Sequence, residues 1–235
     1  MGEQRTFSSL AWSQKGKVTR RERFLAEMDA VIPWSLLVGL IEPHYPNSGK
    51  GRPAHELERM LRIYFLQQWF NLSDPQAEDA IYDSESMRRF ARVELGDDKI
   101  PDESTILRFR HLLEKHGLTE AIFEAVKDLL TEQHLLLRAG TIVDATIVAA
   151  PSSTKNATKS RDPEMKQTRK GKNWHFGMKL HCEHPFRVVK QLWGFQKVRY
   201  RGIAKNLARA QTMFALASLY AVRHCLLPPQ ARCAL

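Results

Sequence analysis

Near residue 140 the hydrophobic period of this sequence changes, which rules out one regular architecture from end to end. Before that point apolar residues return at three- and four-residue steps, the spacing of a helix with one buried stripe. Leu57, Met60, Leu61, Tyr64, Phe65 and Trp69 show it most clearly and predict a helix over 54–70. Shorter helices are expected over 21–30 and, opened by Pro33, over 34–41. Others follow to Asp83 from a cap at Ser73 or Asp74, over 85–93, over 102–116 closed by Gly117, and to Gln133 from a cap at Thr119. After Gly140 the β-branched run Thr141-Ile142-Val143-Asp144-Ala145-Thr146-Ile147-Val148 reads as a buried strand, and 174–181 as a second. Residues 43–53 and 151–172 read as loops, 194–202 as a basic extended segment and 204–227 as a long helix. The expectation is a mainly α protein: a polar tail over 1–21, a helical domain of about six helices over 22–135, and a third part over 136–235 built of a β-hairpin and a C-terminal helix.

Charge divides the chain at nearly the same place. Residues 1–149 carry 19 Lys and Arg against 23 Asp and Glu, a net of −4, and residues 150–235 carry 17 against 3, a net of +14. A ribosomal protein is basic throughout; a localised basic surface beside a near-neutral domain suits a protein that docks DNA on one face. No stretch of 18 apolar residues is present and the polar first 17 residues lack an apolar signal core, so a cytoplasmic, nucleoid-associated protein without a membrane partner is expected. The three cysteines, Cys182, Cys225 and Cys233, do not form a disulfide framework.

Two basic sets are candidates for DNA contact. Lys155, Lys170 and Lys172 lie in the Ser/Thr/Asn-rich loop, which a solvated flexible loop would also explain. Arg187, Lys190, Arg199 and Arg201 alternate with Phe186, Trp193, Phe195 and Tyr200, a pattern suited to phosphate contacts with stacking. The helices over 73–83, 85–93 and 102–116 have helix-turn-helix spacing, which an ordinary helical bundle shares. Arg108, Arg110 and His111 are expected on the more exposed face of the last of them. Asp144 is a carboxylate inside an apolar strand, either capping a neighbouring loop or holding a hard cation such as Mg²⁺. His181-Cys182-Glu183-His184 superficially resembles a metal cluster, but adjacent residues cannot all converge on one tetrahedral ion.

Several longer strings point one way: Leu61-Arg62-Ile63-Tyr64, Trp69-Phe70-Asn71-Leu72-Ser73-Asp74, Phe109-Arg110-His111-Leu112-Leu113-Glu114, Gly140-Thr141-Ile142-Val143-Asp144-Ala145-Thr146, Ala150-Pro151-Ser152-Ser153-Thr154-Lys155-Asn156 and Trp174-His175-Phe176-Gly177-Met178-Lys179. Together, from about Phe7 to Leu227, they resemble the DDE transposases of the IS-five (InsH-like) insertion-sequence family. The resemblance implies an RNase H-like α/β core whose three acidic residues hold two Mg²⁺ or Mn²⁺ ions, and terminal inverted repeats as the DNA partner. It implies Asp144 as the first acidic residue, Glu183 as the last, and Lys190 as a lysine at the transposon end.

The family's long segment between those acids, which carries the second Asp, has no counterpart here. Asp162 is the only aspartate between Asp144 and Glu183, and it lies in the basic loop. The join falls near His181–Cys182, so the family's Tyr and Arg offsets land on Phe176 and Lys179 from the other side of the seam and are not carried over. An internally deleted copy with Asp144 and Glu183 as its remaining ligands is expected to lack strand transfer. Its class alternatives are a non-catalytic DNA-binding regulator that competes with full-length transposase or pairs with it, and a decayed product prone to aggregate through uncovered apolar surface; the partners expected besides DNA are a second copy of the chain or full-length transposase.

Overall fold

The computed structural model describes residues 14–46, 53–95, 99–135, 145–149, 164–170, 173–181 and 185–227. The protein is mainly helical. Among the described residues its helices longer than one turn are α1 Arg20–Val31, α2 Trp34–Ile41, α3 Leu57–Phe70, α4 Asp74–Asp83, α5 Glu85–Phe90, α6 Glu103–Lys115, α7 Leu118–Glu132 and α8 Ile203–Leu226, and Pro185–Arg187 is a single helical turn. A 3₁₀ turn, Glu42–His44, follows α2. Three strands, β1 Ala145–Ala149, β2 Lys166–Lys170 and β3 Asn173–His181, stand between α7 and α8, and a π turn, Val188–Leu192, comes after them.

Side-chain caps start several helices where the sequence supplies them. Thr19 and Glu22 form a reciprocal capping box at α1, and Ser73 with Gln76 forms another at α4. The Asp102 carboxylate accepts from the Thr105 amide at 2.7 Å to open α6. Helix α7 is different. Its N-cap is Gly117, in the left-handed region at φ 63°, and that residue also ends α6. Thr119, expected as the cap, is instead buried inside α7, where its hydroxyl donates to Gln211 Oε1 at 3.1 Å.

Helix α3 is the axis of the core. Met60 through Trp69 are all buried, because α3 meets α2, α4, α6 and α8 on different sides. Arg62 lies among them fully buried. Its Nη2 sits 2.7 Å from Asp29 and 2.8 Å from Glu58, its Nη1 donates to the Phe90 carbonyl at 2.9 Å, and its guanidinium lies 4.0 Å from the Trp34 ring centroid. One residue thus ties α1, α3 and α5 together, and its charge is tolerated because carboxylates and a carbonyl surround it.

Helix α8 closes the same core. Met213, Ala217 and Leu219 are buried in one cluster with Ile122, Val126 and Leu130 of α7 and Leu25 and Met28 of α1. Polar pairs cross the contact: Tyr64 Oη lies 3.2 Å from Thr212 Oγ1, and Arg223 Nε donates to Glu27 at 2.7 Å. Leu207, on the same helix, is 43% exposed. Gly202 begins the helix at φ 94°, and a Cβ there would lie 3.2 Å from the Glu164 carboxylate, which accepts from the Ile203 amide.

The strands form one antiparallel sheet in the order β1-β3-β2. Residues 166–170, expected as loop, are a strand, in which Lys170 pairs with Asn173. At the other pair Ala145 opposes His181.

Candidate nucleic-acid interface

Two basic regions stand out among the described residues of the predicted sites. The first runs from the π turn into α8. Val189, Trp193, Phe195 and Val198 are buried and anchor it, with the Phe195 amide donating to the Val189 carbonyl at 3.0 Å around Gly194 at φ 69°. The aromatics therefore serve packing, and the cations stand outside: Arg187, Lys197, Arg201 and Lys205 are exposed and Lys190 is half-buried.

Arg199 is turned inward. Its guanidinium donates to the carbonyls of Leu72 and Asn71 and to Asn71 Oδ1 at 2.9 Å, gripping the end of α3. Arg209, 3% exposed, donates to Asn71 Oδ1 at 2.7 Å and Gln68 Oε1 at 3.2 Å beneath the Phe195 ring. Burial, with the neighbouring Arg199 charge, lowers its pKa to about 10. Asn71 can serve both arginines because its backbone is in the left-handed region at φ 51°, which Asn tolerates better than most residues.

The second region is on α6. Arg108, His111 and Lys115 are exposed, at helical spacing on one face. With His44, Leu112 and His116 they line a groove of about 380 Å³. The His44 and His116 rings meet there at 4.5 Å between centroids and 31° between planes. Arg108 and Leu112 also border a neighbouring cavity of about 300 Å³, where Tyr45 Oη donates to the His55 carbonyl at 2.7 Å. Burial pushes the Tyr45 phenol up to about 12, which keeps it a donor.

Arg110 does not share the exposed face expected for it. It is buried, because α4 and α6 pack together around an ion pair: Nη2 donates to Asp74 at 3.0 Å and Nη1 to Glu114 at 3.1 Å, with the Tyr200 ring 4.3 Å away. Lys115, His44 and His116 were not anticipated. Lys115 had a signal, since it continues the Arg108–His111 stripe by four residues, whereas His44 reaches the groove only through tertiary packing.

Asp144, Glu183, Lys155 and Lys172 lie outside the described residues, and Lys170 is described only as part of β2. Among the described residues no group of three or more His, Cys, Asp or Glu could hold a metal ion, and no single helix is long and apolar enough to cross a membrane.

No solved structure matches this chain. Residues 13–112, from ahead of α1 almost to the end of α6, match the family model described as Transposase domain (DUF772). The match takes in the Arg62 core and the Arg108–His111 face and supports a transposase-type domain in the helical first half.

Proposed function

We propose that this chain binds DNA as an internally shortened member of the IS-five (InsH-like) DDE transposases and does not cut or join it. The transposase-domain match over 13–112, beside a C-terminal part of net charge +14, carries the reading. The helical first half supplies one basic face and the 187–205 segment another, and phosphate contact from such faces is the sequence-independent part of DNA binding.

The loss of catalysis rests on ligand number. An RNase H-like core of this family would hold two Mg²⁺ or Mn²⁺ ions on three carboxylates, and the resemblance leaves Asp144 and Glu183. The antiparallel β1–β3 pair is consistent with a remnant of that core, since Ala145, next to Asp144, opposes His181, two residues before Glu183. In this reading the chain competes with full-length transposase for terminal repeats or assembles with it. Lys190, Arg187 and Arg201 contact the phosphate backbone, while Arg199 acts by holding the segment in place.

Gel-shift titration of the purified chain on a duplex bearing a terminal inverted repeat tests the binding half. Binding that weakens steeply with salt, and a chain that suppresses end binding by full-length transposase, are expected. A chain that elutes as a folded monomer and leaves both the duplex and the full-length enzyme untouched would refute it.

A further inference from the structure

The cations of α6 fall into two kinds. Arg110 is neutralised by Asp74 and Glu114. Arg108 and Lys115 are exposed, and among the described residues no carboxylate pairs with either. The groove they line holds three imidazoles and a leucine besides, and none of its lining residues is acidic. That is unusual in its setting, because residues 1–149 carry more Asp and Glu than Lys and Arg. A folded surface ordinarily intersperses the two signs unless a field of one sign has a use. A concave cationic strip also focuses its field on an approaching anion.

The dimensions select among anions. Seven residues of helix separate Arg108 from Lys115, about 10.5 Å of rise. One phosphate cannot touch both side chains at their roots, whereas successive phosphates of one strand can. The tilted pair of His44 and His116 rings lies near the Lys115 end of the strip, with ring nitrogens able to donate to phosphate oxygens.

We propose that the groove between the Glu42–His44 turn and the C-terminal half of α6 is a docking track for the sugar–phosphate backbone of DNA, with Arg108 and Lys115 on different phosphates of one strand and His44, His111 and His116 donating between them. This surface is separate from the 187–205 segment, and it rests on the DNA-binding reading above.

The test is anisotropy of a fluorescently labelled duplex of arbitrary sequence, titrated with the full chain over a range of salt. Replacing both Arg108 and Lys115 by Ala is expected to reduce the slope of log K against log salt by about 2 and to weaken binding about tenfold or more. Arg108→Lys in the Lys115→Ala background should recover about one unit of slope relative to the double variant. Both positions are exposed, so thermal melting of the double variant should match the parent, and Lys127→Ala on α7 serves as a surface control. A double variant that melts like the parent and keeps its slope overturns the groove and leaves DNA binding standing. A parent chain with no salt-sensitive DNA binding overturns both. Capture of phosphatidylserine vesicles through Arg108 and Lys115 in place of DNA also overturns it.

Discussion

Asn71 serves two arginines at once, and it is the residue where packing depends most on a single polar atom. Its Oδ1 accepts from Arg209 and from Arg199, so Asn71→Ala removes an acceptor from a cation that is almost wholly buried. The same change places Ala at φ 51°. The expected loss is about 2–4 kcal/mol, measured by denaturant unfolding. Arg209→Met, which removes the buried charge and keeps the volume, is expected to cost less than Asn71→Ala. If the methionine variant is the less stable of the two, the charge is contributing more than this network provides. Arg62 is the opposite case, a buried cation with two carboxylates and a carbonyl around it. Arg62→Ala is expected to cost about 3–5 kcal/mol, because it strips compensation from Asp29 and Glu58 as well as packing from Trp34.

At the scale of elements, α5 shows how a short helix is held. Arg88 donates to the carbonyls of Ile81 at 3.0 Å and Tyr82 at 2.8 Å, satisfying the end of α4, and pairs with Glu85 on its own helix. Burial works to raise the Glu85 carboxyl, and the hydrogen bonds and charges of Arg88 and Arg89 outweigh it, so the group sits below its ordinary value of 4.5. A carboxyl depressed on folding stabilises fully above its unfolded value, and that contribution is lost as pH falls through the lower folded value. The stability gap between the parent and Glu85→Gln is therefore expected at pH 7 and should close as pH falls through the lowered folded value. A gap that widens on acidification would contradict the assignment. Gly202→Ala is expected to loosen the start of α8 by about 1–3 kcal/mol, since it adds a Cβ at φ 94° against the Glu164 carboxylate.

The helices were legible because their signals are local: a 3.6 period, Ser73 as a cap, Asp102 at a helix start, and Gly117 as a stop. Strand β2 was not, because Lys-Gln-Thr-Arg-Lys has no apolar alternation and pairs only by virtue of its neighbour β3. Thr119 had the composition of a cap, but Gly117 already met the turn's need for a positive φ two residues earlier. Arg108 and His111 were read correctly as exposed and Arg110 incorrectly, since the ion pair to Asp74 spans 36 residues and periodicity carries no trace of it.

On the scale of the whole molecule, the C-terminal helix is part of the core that the first seven helices build. Ile122, Val126 and Leu130 of α7 are buried in the cluster shared with α8, and Thr119, Tyr64, Gln68 and Glu27 each take a polar partner from it. That dependence spans more than ninety residues of sequence, so amphipathic spacing could mark α8 as half-buried without naming what it covers. A chain ending at Gly202 is expected to lose cooperative thermal unfolding and to bind hydrophobic dyes, because the α7 stripe would face water. A truncated chain with an undiminished sharp transition would show that the helical part folds without α8.

The proposed division of labour, with DNA held on basic faces and the chemistry lost with one carboxylate, is tested most directly by end cleavage. The purified chain, free of any longer homologue, is incubated with end-labelled terminal-repeat DNA and Mg²⁺ or Mn²⁺, and the products are resolved on a denaturing gel. Retarded complexes are expected on a native gel and uncut strands on the denaturing one. Metal-dependent nicks at the element end that disappear in Asp144→Ala would contradict it.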